Sequence, residues 1–193
     1  MTHNTRIAPQ TTALLAMDFQ TLIVDGHARD KQPLLDRTAK LLAAARNAHM
    51  TVIYVVVGFR PGFPEISDDN MTFRTIKETN RFAPGAANTQ IHPAVAARPD
   101  EVVVQKHRVS AFAGTDLEMI LRSKGIGTLL LTGIATSGVV LSTLRHAADA
   151  DYRLFVVKDC CADSDEQVHH VLTEKVFPRQ ATVVSADEII GEL

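Results

Sequence analysis

Asp18, Lys106 and the turn Ile134-Ala135-Thr136-Ser137-Gly138-Val139 combine residue types and placement that could do chemistry. Each follows an apolar run. Residues 13–17 end at Asp18, Val102-Val103-Val104 leads through Gln105 to Lys106, and residues 129–134 break at Gly133 into small residues. A carboxyl group can give or take a proton, and an ammonium can stabilise negative charge. A turn that feeds a strand into a helix can bind an anion through its peptide N–H groups. None of these is a strong nucleophile. Ser137 offers a hydroxyl, but a serine without a base attacks poorly.

These groups need a frame, and the apolar pattern supplies one. Residues 13–17, Thr51–Val57, 102–104, Thr128–Ile134, 154–157 and 181–184 read as six strands, continuous enough to be buried on both faces. Between them, Leu34, Leu35, Thr38, Leu41, Leu42 and Ala45 recur at helical spacing across residues 33–48. Further helices are expected over 115–124, 139–149 and 165–176. Thr115 with Glu118 suggests a capping box, Gly125 a stop, and Pro178 closes the last helix. Alternation of this kind predicts one α/β domain spanning 1–193: a parallel sheet between two helical layers. Ligands of such sheets bind beyond the carboxyl ends of the strands, where Asp18, Lys106, the turn and Asp159 all fall. Residues 58–99 are long and irregular, with five prolines, as a lid or an oligomer contact would be.

Composition narrows the function classes. The chain has 193 residues, 46% of them hydrophobic, enough for a full core. A net charge of −2 gives no electrostatic case for nucleic acid. No run approaches the roughly 18 apolar residues of a membrane span, and the first six residues lack the apolar block of a signal peptide. The two cysteines are neighbours, Cys160 and Cys161, which fits a reduced, cytoplasmic setting better than a disulfide framework. A small-molecule substrate is the expected partner.

Taken together, Asp18-Phe19-Gln20, Lys106 with Ser110-Ala111-Phe112 and Gly114-Thr115-Asp116-Leu117, Thr132-Gly133-Ile134-Ala135-Thr136, and Asp159 resemble the isochorismatase-like (cysteine hydrolase) superfamily. The similarity runs from Thr12 to Ala186. It implies a Rossmann-like three-layer α/β/α fold with a six-stranded parallel sheet, and a homodimer or homotetramer. It also implies catalytic roles for Asp18 as acid or base and Lys106 as cation, and a cis peptide between Ile134 and Ala135 near an oxyanion site formed by Ile134, Ala135, Ser137, Gly138 and Val139. Amidase members complete an Asp-Lys-Cys triad. Ungapped alignment of the turn puts Val139 at the cysteine's position, and valine cannot form a thioester. The isochorismatases proper also lack this cysteine and hydrolyse a vinyl ether, which needs a general acid instead. Metal-binding members carry Asp-x-His after the second strand. Here Gly58-Phe59-Arg60-Pro61 stands there, so no metal and no cofactor are expected.

Other residues have both a bland and a functional reading. Cys160 and Cys161 lie after the fifth strand and read as buried hydrophobes. Ser142 sits one helical turn past Val139. His169 and His170 are neighbours pointing roughly 100° apart on a helix, unlike a metal pair. Phe19, Gln20, Phe59, Arg60 and Phe112 are the candidates to contact substrate, and Arg60 or Arg81 could pair a carboxylate. Three functions remain open: noncovalent hydrolysis of an enol ether by Asp18, an amidase-like hydrolysis using another nucleophile or water, and a scaffold that has lost catalysis.

Overall fold

The computed structural model describes residues 7–193; the segment read for a signal sequence lies outside them. Six parallel strands form one sheet: β1 (Thr12–Met17), β2 (Thr51–Val57), β3 (Val102–Lys106), β4 (Thr128–Ile134), β5 (Arg153–Ala162) and β6 (Thr182–Val184). Their order is β3-β2-β1-β4-β5-β6. This confirms the Rossmann-like three-layer architecture. The chain winds outward from β1 to β3, crosses back, and winds the other way from β4 to β6. Its switch point therefore falls between β1 and β4, where α/β sheets open a crevice.

Strand alternation divides the core. Leu14, Ala16, Val52, Tyr54 and Leu130 pack on one face, under α1 (Thr21–His27), α2 (Lys31–Asn47), α3 (Met71–Glu78) and α7 (Ala186–Glu192). Ala13, Leu15, Met17, Val55, Leu129 and Leu131 pack on the other, under α4 (Leu117–Ser123), α5 (Leu141–Asp149) and the wide turn Leu172–Val176 that continues α6 (Glu166–Val171). Both faces bury aliphatic side chains, which is why the strands lack a polar alternation.

Several elements differ from the sequence pattern for identifiable reasons. The predicted capping box does not form. Thr115 Oγ1 donates to Ala111 O, Glu118 pairs with Arg122, and α4 begins only after Asp116. Residues 58–99 contain α3, capped by the Asn70 side chain, which accepts from Phe73 N. The helix has 8 residues and buries mainly Phe73, too short a run to stand out among the prolines and glycines around it. The fifth strand runs on to Ala162. After Leu131 pairs with Val156 the ladder slips, and Gly133 pairs with Cys161, so two steps along β4 match five along β5. Such a bulge carries polar residues past the apolar run that marked the strand.

Gly133 is needed where it stands. At φ 154° it lies opposite Met17 in the β1 ladder, and a Cβ there would sit 2.6 Å from Met17 O. The absent side chain lets β1 and β4 stay paired at the crevice.

Candidate active site

Asp18 leaves β1 with a left-handed φ of 59°, a conformation Asp tolerates better than most residues. Its N–H still donates to Val55 O at 2.8 Å, so the turn off the sheet begins at this residue. Lys106 ends β3 on the face that holds Val104. Its Nζ lies 2.9 Å from Asp18 Oδ2 and donates to Arg108 O at 3.1 Å. Two of the three ammonium protons are thus engaged. Both side chains are more than nine-tenths buried, and Asp18 Oδ1 is buried with no hydrogen-bond partner.

Two influences act on Asp18 in opposite directions. Burial penalises its ionised form, and the Lys106 charge and hydrogen bond favour that form. Burial is the larger, so the Asp18 pKa lies above the ordinary aspartate value. The arrangement offers a carboxyl group that keeps its proton to higher pH than usual, with one oxygen free.

After β4 the Ile134–Ala135 peptide is cis, and residues Thr136–Val140 wind as one wide helical turn before α5. Val139 is buried in the same layer as Met17, Ala111 and Phe112, on the face to which Lys106 belongs. Three backbone donors of the turn are engaged, Val140 N–H among them, which donates to Ala135 O at 3.3 Å. Ser137 N–H donates to Asp163 Oδ2 at 2.7 Å, and Gly138 N–H donates to Ala135 O at 3.1 Å. The Ser137 hydroxyl also donates to Asp163 Oδ2, at 2.6 Å.

The expected substrate contacts separate. Phe112 stays on the Lys106 face, stacked on His146 with centroids 4.7 Å apart. Phe19 and Phe59 pack in the core of the opposite face, Phe59 against Phe63 and Phe73. Gln20 is fully buried and its amide serves the backbone. It accepts from Val57 N–H and donates to Val57 O and Thr89 O. These bonds tie residues 20, 57 and 89 together instead of facing a ligand. Arg60 is exposed and paired with Glu65 at 2.6 Å. Asp159 accepts from Ala186 N–H, fixing the start of α7, with Arg37 beside it.

The whole arrangement extends from Thr12 to the last helix, and the isochorismatase domain family matches residues 12–188. The chain belongs to the isochorismatase family. An uncharacterised isochorismatase family protein of Escherichia coli O157:H7, YecD, is 31% identical over 95% of this chain and 97% of its own length. The maleamate amidohydrolase of Pseudomonas putida is 26% identical over 94% of this chain and 86% of its own. Among solved structures, an isochorismatase family protein from Burkholderia thailandensis superimposes with a TM-score of 0.81. It is 29% identical, with 97% of this chain and 98% of that one covered. Like other members of the isochorismatase family, the chain is a hydrolase built for a small molecule.

Sequence reasoning missed the partners of the turn. His169 Nδ1 lies 2.8 Å from Thr136 Oγ1, and Asp163 holds Ser137. His169 and Asp163 line a cavity of about 550 Å³ with Arg29, Asp30 and Arg37, at the carboxyl end of β5. Neither Asp18 nor Lys106 lines that cavity or a second one of about 510 Å³ beside Gln20 and Gln105.

Proposed function

We propose that this chain hydrolyses a small anionic metabolite by general acid catalysis from Asp18, without a covalent intermediate. The observation that carries this reading is the Asp18 carboxyl group. It is buried, its pKa is raised by that burial, and Oδ1 has no partner inside the protein. Such a group is suited to hand over a proton.

On an enol ether, Asp18 transfers its proton to the alkene carbon and a C–H bond forms. Positive charge develops at the carbon bearing the ether oxygen. Water adds there, and its released proton returns to Asp18. The resulting hemiketal breaks its C–O bond as its hydroxyl proton passes to the departing ether oxygen, leaving a ketone and an alcohol. Lys106 holds the ionised Asp18 between the two proton transfers. The covalent route used by amidases requires a nucleophile, and Val139 supplies none at the aligned position.

The relationship to a maleamate amidohydrolase favours a second substrate class, carboxylate-bearing amides. There Asp18 would accept a proton from water instead, and Lys106 would stabilise charge on the tetrahedral intermediate.

The test is a screen of purified protein against both classes, enol ethers such as isochorismate and amides such as maleamate. Hydroxylamine is added to capture any acyl-enzyme. Expected are turnover on at least one class, no captured acyl group, and loss of turnover in Asp18→Asn. A captured acyl group in the unmodified protein, or full activity in Asp18→Asn, refutes this mechanism. Absence of turnover on every member of both classes leaves the scaffold reading in its place.

A further inference from the structure

Two side chains of the β5–α6 segment hold two successive residues of the turn after β4. His169 Nδ1 meets Thr136 Oγ1 at 2.8 Å, and Asp163 Oδ2 accepts both the N–H and the O–H of Ser137. Thr136 is fully buried, so its hydroxyl has no solvent to bond. A hydroxyl has one proton to donate. The neutral imidazole with its own proton on Nε2 accepts it at Nδ1. We propose that His169 is a positioning residue, fixing through Thr136 the geometry of the turn between Ile134 and Val140. Its importance for catalysis rests on the functional reading above, in which that turn borders the reacting group.

His169 is set in place from its own side. Asp165 caps α6 by accepting from Gln167 N–H and Val168 N–H, and Thr173 Oγ1 donates to His169 O. The ring is half buried, and burial lowers its pKa below the ordinary histidine value. Asp163 and Glu166 oppose that shift, while His170 and Lys158 add to it. The net direction keeps the ring unprotonated at neutral pH, the form that can accept from Thr136. The wide helical turn adds to the need for an external hold. It lacks a side-chain cap, so its first residues rely on neighbours outside the helix.

Amide hydrogen exchange by mass spectrometry tests the proposal without any substrate. His169→Leu and Thr136→Val should each speed exchange across residues 135–140 by about tenfold, the equivalent of one buried hydrogen bond, while β1 and β2 keep their rates. His169→Asn, which retains an acceptor near the place of Nδ1, should leave the turn protected. With a substrate from the screen, His169→Leu should lower kcat with little change in KM, and His169→Asn should restore it. An unchanged turn, acceleration spread evenly over the sheet, or equal loss in the Asn and Leu variants would overturn the proposal. If His169→Leu proves insoluble, Thr136→Val decides from the other end of the bond. If the screen finds no substrate, the hydrolytic mechanism fails, and exchange still decides whether His169 holds the turn.

Discussion

Lys106 Nζ and Asp18 Oδ2 lie 2.9 Å apart, joining the ends of two strands that β2 separates. Lys106 favours the ionised form of Asp18, and burial outweighs that influence. Removing one partner of such a pair typically costs about 3–5 kcal/mol, because the other is left buried and alone. Lys106→Met should therefore destabilise strongly at neutral and alkaline pH. The loss should shrink on acidification. With its folded pKa raised above 3.8, Asp18 adds stability that is complete below 3.8 and lost as pH rises through the folded value. Adding Asp18→Asn to Lys106→Met should recover most of the loss at alkaline pH. Urea denaturation at several pH values checks this. A loss independent of pH, or one the second substitution does not relieve, would show that the two charges are not coupled.

If Asp18 acts as the acid, its protonated form is the active one. The value of kcat/KM should fall as pH rises through the raised Asp18 pKa, and stay flat below it until another group titrates. Asp18→Asn keeps the shape and an oxygen toward Lys106 but has no acidic proton. Turnover should drop by about a hundredfold or more, the usual contribution of a positioned acid. An activity that rises with pH through this range would assign Asp18 as the base, and would favour the amide chemistry.

The groups at strand ends were legible because buried parallel strands are continuous apolar runs, so Asp18 and Lys106 mark where those runs stop. The sheet followed for the same reason. The partners of the turn were not legible. Thr136 and His169 are 33 residues apart, and Ser137 and Asp163 are 26 apart. No spacing rule connects such pairs; only the β4–β5 pairing brings them together. The side-chain surroundings of Phe19, Gln20 and Phe59 were not legible for a related reason. Their positions after β1 and β2 were plain, but side-chain direction depends on how each strand leaves the sheet. Gln20, one of the most buried polar residues, is consumed by the backbone at Val57 and Thr89. The final helix, α7, escaped notice although Ser185 and Glu188 form a capping box there.

Both thiols should be inert in the native protein. Burial pushes the Cys160 pKa up to about 12, and it raises Cys161 as well. A thiolate is the reactive form, so neither cysteine supplies one near neutral pH. Iodoacetamide should modify neither cysteine while the protein is folded and both after denaturation, as mass spectrometry would show. Turnover should survive the treatment. Alkylation of Cys160 or Cys161 that tracks a loss of activity would return them to the catalytic candidates.

Gly133→Ala should damage the fold more than a surface substitution does. Its Cβ would press on Met17 O at 2.6 Å, against backbone that has no room to yield. A cost of about 3 kcal/mol would lower Tm by roughly 6–12 °C for a domain of this size. The crevice between β1 and β4 should open with it, so fast exchange of the Asp18 and Ile134 amides is expected before global unfolding. Calorimetry showing an unchanged Tm would mean that the strands adjust, and that close approach at Gly133 is not required.

Val139→Cys asks whether the missing nucleophile is the only thing separating this chain from covalent chemistry. Val139 is buried among Met17, Ala111, Phe112 and Val140. Cysteine is smaller and comparably apolar, so the fold should lose only about 1 kcal/mol. If Val139 occupies the aligned position, the new thiol lies within the field of Lys106. A nearby cation lowers a thiol pKa, while burial raises it. The prediction is that the cation prevails and the introduced thiol becomes alkylated faster than Cys160 or Cys161. With amides such as maleamate, hydroxylamine should then capture an acyl group that the unmodified protein never yields. An introduced thiol as unreactive as the two native ones would mean that this position does not face the Asp18–Lys106 pair, and Val139 would no longer argue against a covalent route.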